Sequence, residues 1–245
     1  MTIAQHSHDA AITASPRPSD RRFGWVVTLV CAGVYGFLIA APMISYDFGR
    51  HVVLGELGIL ENLQAVVLLV GMLVALYGLL RRETAALPGA RPFLLMVALG
   101  MLYILGEEIS WGQHYFRWAT TGWFELHNDQ GETNLHNTSS WFDQKPRALL
   151  LLAMVVGGVI HPLVKLARKG RGIINRPWWL APTLAATPVA LFAMLGGMPE
   201  RLAEWGLIPK VNAYRSSEVE ELFLYGFMLV YLLQLVRRIR RTPAA

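Results

Sequence analysis

Six long runs of apolar residues constrain this chain more than any other feature of its sequence. About 20 consecutive apolar residues are enough for a helix to cross the hydrocarbon core of a bilayer. The runs are Phe23–Ser45, Gly58–Leu80, Pro92–Trp111, Arg147–Leu166, Trp178–Met198 and Glu218–Val236. Only 16% of the residues are charged, against about 25% in a typical soluble domain. The sequence therefore predicts an all-α fold, a polytopic membrane bundle of six transmembrane helices.

The first run is longer than the apolar core of a signal peptide, which has about 7–15 residues. It therefore predicts a retained span. The polar residues before it contain proline, which is typical of a disordered tail. The predicted organisation is a disordered cytoplasmic tail at 1–22, a six-helix domain at 23–236 and a basic cytoplasmic tail at 237–245. An outer aromatic loop at 112–146 interrupts the six-helix domain.

Basic residues are concentrated on one side of the predicted membrane. Fifteen of the 22 Lys and Arg residues lie in the two tails and in the loops after the second and fourth runs. Cytoplasmic loops carry such an excess, so both termini are predicted to be cytoplasmic. Fourteen of the 17 Asp and Glu residues lie on the other, outer side. The net charge of +5 follows from this bias and predicts no nucleic-acid partner, because nucleic-acid motifs are absent from the sequence.

The stretch GEEISWGQH (residues 106–114) ends the third run with residues that a membrane helix normally avoids. If the helix continues through it, Glu107, Ser110 and His114 lie on one helical face. Glu108 then lies on the neighbouring face. The predicted direction of the third run places this polar group at the outer end of the bundle.

Two other runs bring carboxylates to the same membrane level. Glu61 lies at the outer end of the second run, and Glu218 and Glu221 lie at the outer end of the sixth. Carboxylates close to hydrocarbon are costly and are usually functional. We therefore expect Glu61, Glu107, His114, Glu218 and Glu221 to converge in one polar pocket.

The aromatic loop, about 35 residues long, is rich in Trp, Phe and His. Connections of this length are often functional. Glu132 and His136 would share a ligand if the segment around GETNLHN were helical. We expect the loop to fold back over the outer mouth of the bundle, because its aromatic side chains suit the membrane interface.

Mixed histidine and carboxylate ligands suit zinc or another divalent ion with an open position for water. The candidate metal ligands are His114, Glu132, His136, Glu218 and Glu221. A metal lowers the pKa of bound water, so that a hydroxide nucleophile forms. The candidate catalytic residues, which would act as a base or hold the reacting oxygen, are Glu61, Glu107, Glu108 and Ser110. The simpler alternative is that these carboxylates face water at helix ends, where the dipole of the sixth run favours Glu218.

The stretches GEEISWGQ and QGETNLHN resemble a family of uncharacterised bacterial multi-span membrane proteins, a resemblance that covers about residues 49–235. The resemblance implies a location in a bacterial cytoplasmic membrane and implies no activity. Ser110, His114 and Glu61 are also faintly similar to positions in the alkaline ceramidase-like superfamily of membrane hydrolases. In that superfamily a serine precedes a zinc-binding histidine by four residues. The superfamily has seven spans and a final H-x-x-x-H pair, whereas the last run here offers two glutamates.

The leading hypothesis is a metal-dependent membrane hydrolase or transferase that acts on a lipid or a lipid-linked substrate at the outer leaflet. The second hypothesis is a non-enzymatic cation-binding or assembly protein whose outer cluster docks a partner. The third is a small transporter, which the Gly and Pro residues of the fifth run favour and the absence of an internal repeat disfavours.

Overall fold

The computed structural model describes residues 18–128, 130–209 and 214–240, and these residues form helices and connections without any β-strand. The main helices are α1 (Pro18–Ile44), α2 (Ile59–Leu79), α3 (Ala90–Glu108), α4 (Ser140–Met154), α5 (His161–Ala167), α6 (Thr187–Glu204) and α7 (Ser216–Arg240). A π-helical segment, Val155–Ile160, joins α4 and α5 into one continuous helix. Shorter helical segments are Phe48–Val53, Arg82–Ala85, Ser110–Gly112, Gln113–Phe116, Trp123–His127, His136–Thr138 and Leu184–Ala186.

Five helices are long and apolar enough to cross a membrane. They are Asp20–Ile44, Ile59–Leu79, Ala90–Glu108, Gln144–Ala167 and Ser216–Arg240. They correspond to the first four apolar runs and the sixth. The predicted all-α class and the presence of several membrane-length helices are therefore confirmed.

The fifth run, Trp178–Met198, folds differently from the expectation. Residues 178–183 are not helical, and α6 covers Thr187–Glu204. Pro182 prevents one continuous helix over the run, because proline disfavours helical backbone in the preceding residue and lacks the N–H that a helix interior needs. Pro188 lies in the first turn of α6, where proline is tolerated. α6 has 18 residues and a charged C-terminal end, and it is not among the five membrane-length helices.

Helical structure extends into both predicted tails. α1 begins at Pro18, so the last residues of the predicted disordered tail are helical, and α7 continues to Arg240. Arg237 lies over the Phe23 ring, 4.1 Å from its centroid, and so joins the end of α7 to the start of α1. The rest of the two predicted tails, residues 1–17 and 241–245, lies outside the described residues.

α7 occupies the centre of the bundle. It packs against α1, α2, α4 and α6, while α2 also packs against α3 and α1 against α6. Of its apolar stretch 61% is buried, compared with 22–33% in the other four membrane-length helices. The π-helical segment approaches both α6 and α7, because a Cβ on Gly158 would lie 2.7 Å from Ala190 and 2.8 Å from Phe227.

Contacts at the helix ends show that α2, α3, α4, α6 and α7 alternate in direction along the chain, so that the packed helices α2 and α7 run parallel. The N-terminal turns of α2 and α7 meet where Gln64 Nε2 donates to the Glu218 carbonyl oxygen at 2.9 Å. The C-terminal end of α3 reaches the same level, where the Tyr225 hydroxyl donates to Glu108 at 2.7 Å. Ion pairs bring the start of α4 and the end of α6 to this level as well.

The two ends of the bundle carry opposite charge. The acidic end contains Glu61, Glu107, Glu108, Glu132, Glu218, Glu220 and Glu221. The basic end contains Arg81, Lys165, Arg168, Arg171 and Arg237. The charge separation along the sequence thus corresponds to two ends of one folded bundle.

Candidate functional site

A left-handed turn follows the end of α3. Ser110, Trp111 and Gly112 have positive φ angles of 45°, 54° and 103°. Such a conformation costs about 1–3 kcal/mol in a residue other than glycine, so surrounding contacts must hold it. The expectation that Glu107, Ser110 and His114 share a helical face is wrong, because the helix ends before the serine.

The turn folds Trp111 back onto α3. Its ring covers Gly106, where a Cβ would lie 2.9 Å from the indole, and its Nε1 donates to Glu107 Oε1 at 2.9 Å. Glu107 Oε2 accepts the backbone N–H groups of Leu135 at 2.6 Å and His136 at 2.9 Å. Glu107 therefore joins the end of α3 to the aromatic loop.

Ser110, His114 and Glu132 form a second connection between these elements. Ser110 Oγ lies 3.0 Å from His114 Nε2 and donates to Glu132 Oε2 at 2.9 Å. Glu132 Oε1 lies 2.9 Å from the same ring nitrogen. Asn134 Nδ2 donates to both Ser110 Oγ and Glu132 Oε2. In a serine–histidine–acid relay the acid binds Nδ1 of the ring, so this arrangement is not such a relay.

Amide side chains complete the attachment of the loop. Gln113 Oε1 accepts the Thr133 N–H at 2.7 Å, and Asn128 Nδ2 donates to Asn134 Oδ1 at 2.9 Å. The stretches GEEISWGQH and QGETNLHN are thus hydrogen-bonded to one another at several points. The polar residues at the end of the third run bind the aromatic loop. Sequence reasoning missed these amides, although Gln113 and Asn134 stand within the two stretches.

The segment around GETNLHN is not helical between residues 131 and 135. Glu132 faces His114, whereas His136 Nδ1 lies 3.7 Å from Glu107 Oε2. Glu132 and His136 therefore bind different partners instead of sharing one. Burial raises the pKa of the Glu132 carboxyl, but hydrogen bonds from Ser110 and His114 outweigh this effect and hold the pKa below its ordinary value.

A small, half-open cleft separates His114 from the start of α2. Its lining residues are Leu57, Glu61, Asn62, Glu108, Ile109, His114 and Tyr115. The Tyr115 hydroxyl donates to Asn62 Oδ1 at 3.1 Å across the cleft. Two carboxylates and one histidine from the predicted site therefore line the same cavity.

Arg215 places a positive charge beside this cleft. Its guanidinium binds Glu61 Oε1 at 2.6 Å and Glu218 Oε1 at 3.1 Å. Burial lowers the pKa of Arg215, but the Glu218 and Glu61 carboxylates outweigh burial and raise it. The repulsion between two carboxylates predicted for the site is thus offset by a guanidinium.

The other carboxylates of α7 pair with two further arginines. Arg147 binds Glu220 at 3.0 Å and Glu221 at 3.1 Å, and Arg201 binds Glu220 from α6. Glu221 therefore contacts α4 and not the cleft. Sequence reasoning missed Glu220 and all three arginines. The three arginines could have been noticed in the sequence, because they are among the few basic residues close to the outer helix ends.

The structure divides the predicted site residues into three groups. These groups overlap. The cleft is lined by Glu61, Glu108 and His114; the aromatic loop is held by Glu107, Ser110, His114, Glu132 and His136; and arginines pair with Glu61, Glu218 and Glu221. Across the described ranges, no three His, Cys, Asp or Glu side chains are grouped so that they hold a metal ion.

The fold and the acidic end define an all-helical protein with several membrane-length helices and a polar, hydrogen-bonded cap. Comparison of the chain with known protein families, with curated proteins and with solved structures finds no match in any of the three. The function is therefore inferred from the geometry of the acidic end.

Proposed function

We propose that this chain is an integral membrane protein with six crossings, the fifth made by α6. α6 packs against α1 and α7 inside the bundle, and its 18 residues span about 27 Å, close to the thickness of about 30 Å of a hydrocarbon core. In this arrangement both termini are cytoplasmic and the acidic end faces outward, as the distribution of basic residues favours. The membrane would be the cytoplasmic membrane of a bacterium.

A reporter of membrane side tests this topology. We expect a reporter fused after Ala245 to be active in the cytoplasm, and one inserted at Thr121, in the aromatic loop, to be active outside. The physical reason is that fifteen of the 22 basic residues lie on the proposed inner side. A C-terminal reporter that is active outside, or reporters that are active on the same side, would contradict the six-crossing topology.

For the acidic end we propose a site for zinc or a similar divalent cation. The observation that carries this proposal is that His114, in contact with Glu132, shares one cleft with Glu61 and Glu108. Imidazole nitrogen and carboxylate oxygen are common zinc ligands. His114 and Glu132 would bind from one wall. Glu108 is the better general base in the cleft, because Glu61 already binds Arg215.

The proposed reaction is metal-assisted hydrolysis or group transfer on a lipid or a lipid-linked substrate. The cation would polarise an acyl or phosphoryl oxygen and lower the pKa of a bound water. The oxygen of this water would bond to the acyl carbon or the phosphorus while a cleft carboxylate takes its proton, and the bond from that centre to the leaving oxygen would break as the leaving oxygen receives the proton. Tyr115 and Phe116 beside the cleft and Trp118 after them are exposed, as suits a site that meets lipid at the membrane interface.

A non-enzymatic cation-binding or assembly role is the second candidate, and one observation favours it. Ser110 is fully buried, and its hydroxyl contacts His114, Glu132 and Asn134. It is therefore not accessible as a nucleophile or as a donor to a reacting oxygen. In this case the two motifs serve to hold the aromatic loop, which docks a partner.

Lipid turnover distinguishes the two candidates. We expect the purified protein to hydrolyse a phospholipid or a lipid-linked phosphate, with activity that a chelator removes and zinc restores. Glu108→Gln should lower the rate by about 10²–10⁴-fold, as loss of a general base does, whereas the exposed Glu125→Gln should not. Zinc binding without turnover of any lipid would favour the second candidate. Equal activity in Glu108→Gln and wild type would contradict the proposed base.

A further inference from the structure

The basic end contains a buried histidine with an unused hydrogen-bond donor. His161, at the start of α5, is 1% exposed. Its Nδ1 accepts the backbone N–H of Ile174 at 3.1 Å, which places the proton of the neutral ring on Nε2. Nε2 is buried and has no hydrogen-bond partner among the described residues. A buried donor without an acceptor is unfavourable, so an acceptor is expected there.

The loop after α5 is built around this ring. A Cβ on Gly172 would lie 2.2 Å from Cε1 and 2.7 Å from Nε2 of His161, so a larger residue does not fit there. Asn175 closes the turn, because its Oδ1 accepts the Gly172 N–H at 2.9 Å and its Nδ2 donates to the Gly172 carbonyl at 2.6 Å. The turn that Asn175 closes at Gly172 therefore packs directly against the His161 ring.

Positive charge surrounds the unused donor. Lys165 lies one turn after His161 on the same helical face, and Arg238 of α7 interacts electrostatically with both. Arg238 also interacts with Asp20 and donates to the Trp178 carbonyl at 3.3 Å. None of the ion pairs within the described part of the chain involves Lys165. Lys165 is therefore a partly buried cation close to His161 that is available to a ligand.

We propose that His161 Nε2–H and Lys165 form a binding site for a phosphate-type anion, either a lipid headgroup or free phosphate. A phosphate offers several strong acceptor oxygens, which suit one neutral and one charged donor close together. In the proposed topology this end faces the cytoplasm, where basic segments meet anionic lipid headgroups. The basic loop that continues from α5 contains Arg168, Lys169, Arg171 and Arg176. This site is separate from the cation site proposed at the acidic end.

The full chain in mild detergent provides the test. Native mass spectrometry compares retained phosphatidylglycerol with retained phosphatidylcholine, and equilibrium dialysis measures binding of inorganic phosphate. Lys165→Gln removes the half-buried cation, while Lys169→Gln removes the same charge from an exposed position nearby. We expect Lys165→Gln to weaken anion binding at least about tenfold, since a charge-assisted hydrogen bond is lost. Lys169→Gln should leave binding close to that of the wild type.

His161→Gln provides an independent variant and should weaken binding in the same direction. Selective retention of phosphatidylglycerol without phosphate binding identifies a lipid headgroup as the ligand, and phosphate binding identifies a free anion. Either result supports the site if Lys165→Gln weakens it. The proposal is overturned if Lys165→Gln binds the anion as well as Lys169→Gln does, or if the wild type neither retains phosphatidylglycerol better than phosphatidylcholine nor binds inorganic phosphate.

Discussion

Replacing Glu220 by alanine is expected to lower the free energy of unfolding by about 3 kcal/mol. The Glu220 side chain is 4% exposed and binds Arg147 of α4 and Arg201 of α6. Removing one member of a buried ion pair costs about 3–5 kcal/mol, because its partner is left uncompensated. The lower value applies here, since both guanidiniums keep some contact with solvent. Unfolding in mixed micelles with increasing dodecyl sulfate measures the change.

Glu204→Ala is the matched control for this substitution. Glu204 is an exposed carboxylate at the end of α6, so its removal should change stability by less than about 0.5 kcal/mol. Equal stability of Glu220→Ala and Glu204→Ala would contradict the role of the buried ion pairs in joining α4, α6 and α7.

Glu107→Ala is expected to release the aromatic loop from the end of α3. Glu107 is 4% exposed and accepts hydrogen bonds from the Trp111 indole and from two loop N–H groups. Each buried donor left without an acceptor costs about 1–3 kcal/mol. Hydrogen exchange of residues 130–138 should therefore become at least about 10²-fold faster, which corresponds to a loss of about 3 kcal/mol in opening free energy.

The control for this measurement is Glu125→Ala in the same loop. Glu125 is exposed, so exchange of residues 130–138 should stay at the wild-type rate. Unchanged exchange in Glu107→Ala would show that other contacts, such as those of Gln113, hold the loop without it.

The sequence predicted the helices better than the polar contacts between them, for a physical reason. An apolar run of sufficient length specifies a helix locally. Five of the six runs, all except the fifth, form helices of membrane length. The fifth run differs, because Pro182 interrupts it and residues 178–183 are not helical. Proline restricts the backbone of the residue before it, so this difference could have been predicted from the sequence.

The left-handed turn at Ser110 and Trp111 could not be predicted from residue spacing. Neither residue favours positive φ, and the conformation is held by contacts with residues more than 20 positions away, such as Glu132. The helical-face argument therefore gave the right contact between Ser110 and His114 for the wrong reason. They meet because the turn leads into the short helix Gln113–Phe116.

Pairing of carboxylates with arginines was missed for a different reason. Crowded carboxylates require positive charge, protons or water, and sequence reasoning favoured a metal ion. The structure brings Arg215 to Glu61 and Glu218, and Arg147 to Glu220 and Glu221. Among these arginines, Arg215 lies close in sequence to one partner, three residues before Glu218. The other pairs join residues that are far apart in sequence, so they could not be predicted without the fold.

Elemental analysis of the protein purified in mild detergent tests the proposed cation site most directly. The proposal predicts about one zinc or similar divalent ion per chain, its loss in His114→Ala, and its retention in His127→Ala, which removes an exposed histidine from the same loop. Both variants should remain folded and inserted. A wild-type protein without bound metal after incubation with zinc, or equal metal content in wild type and His114→Ala, would contradict the site.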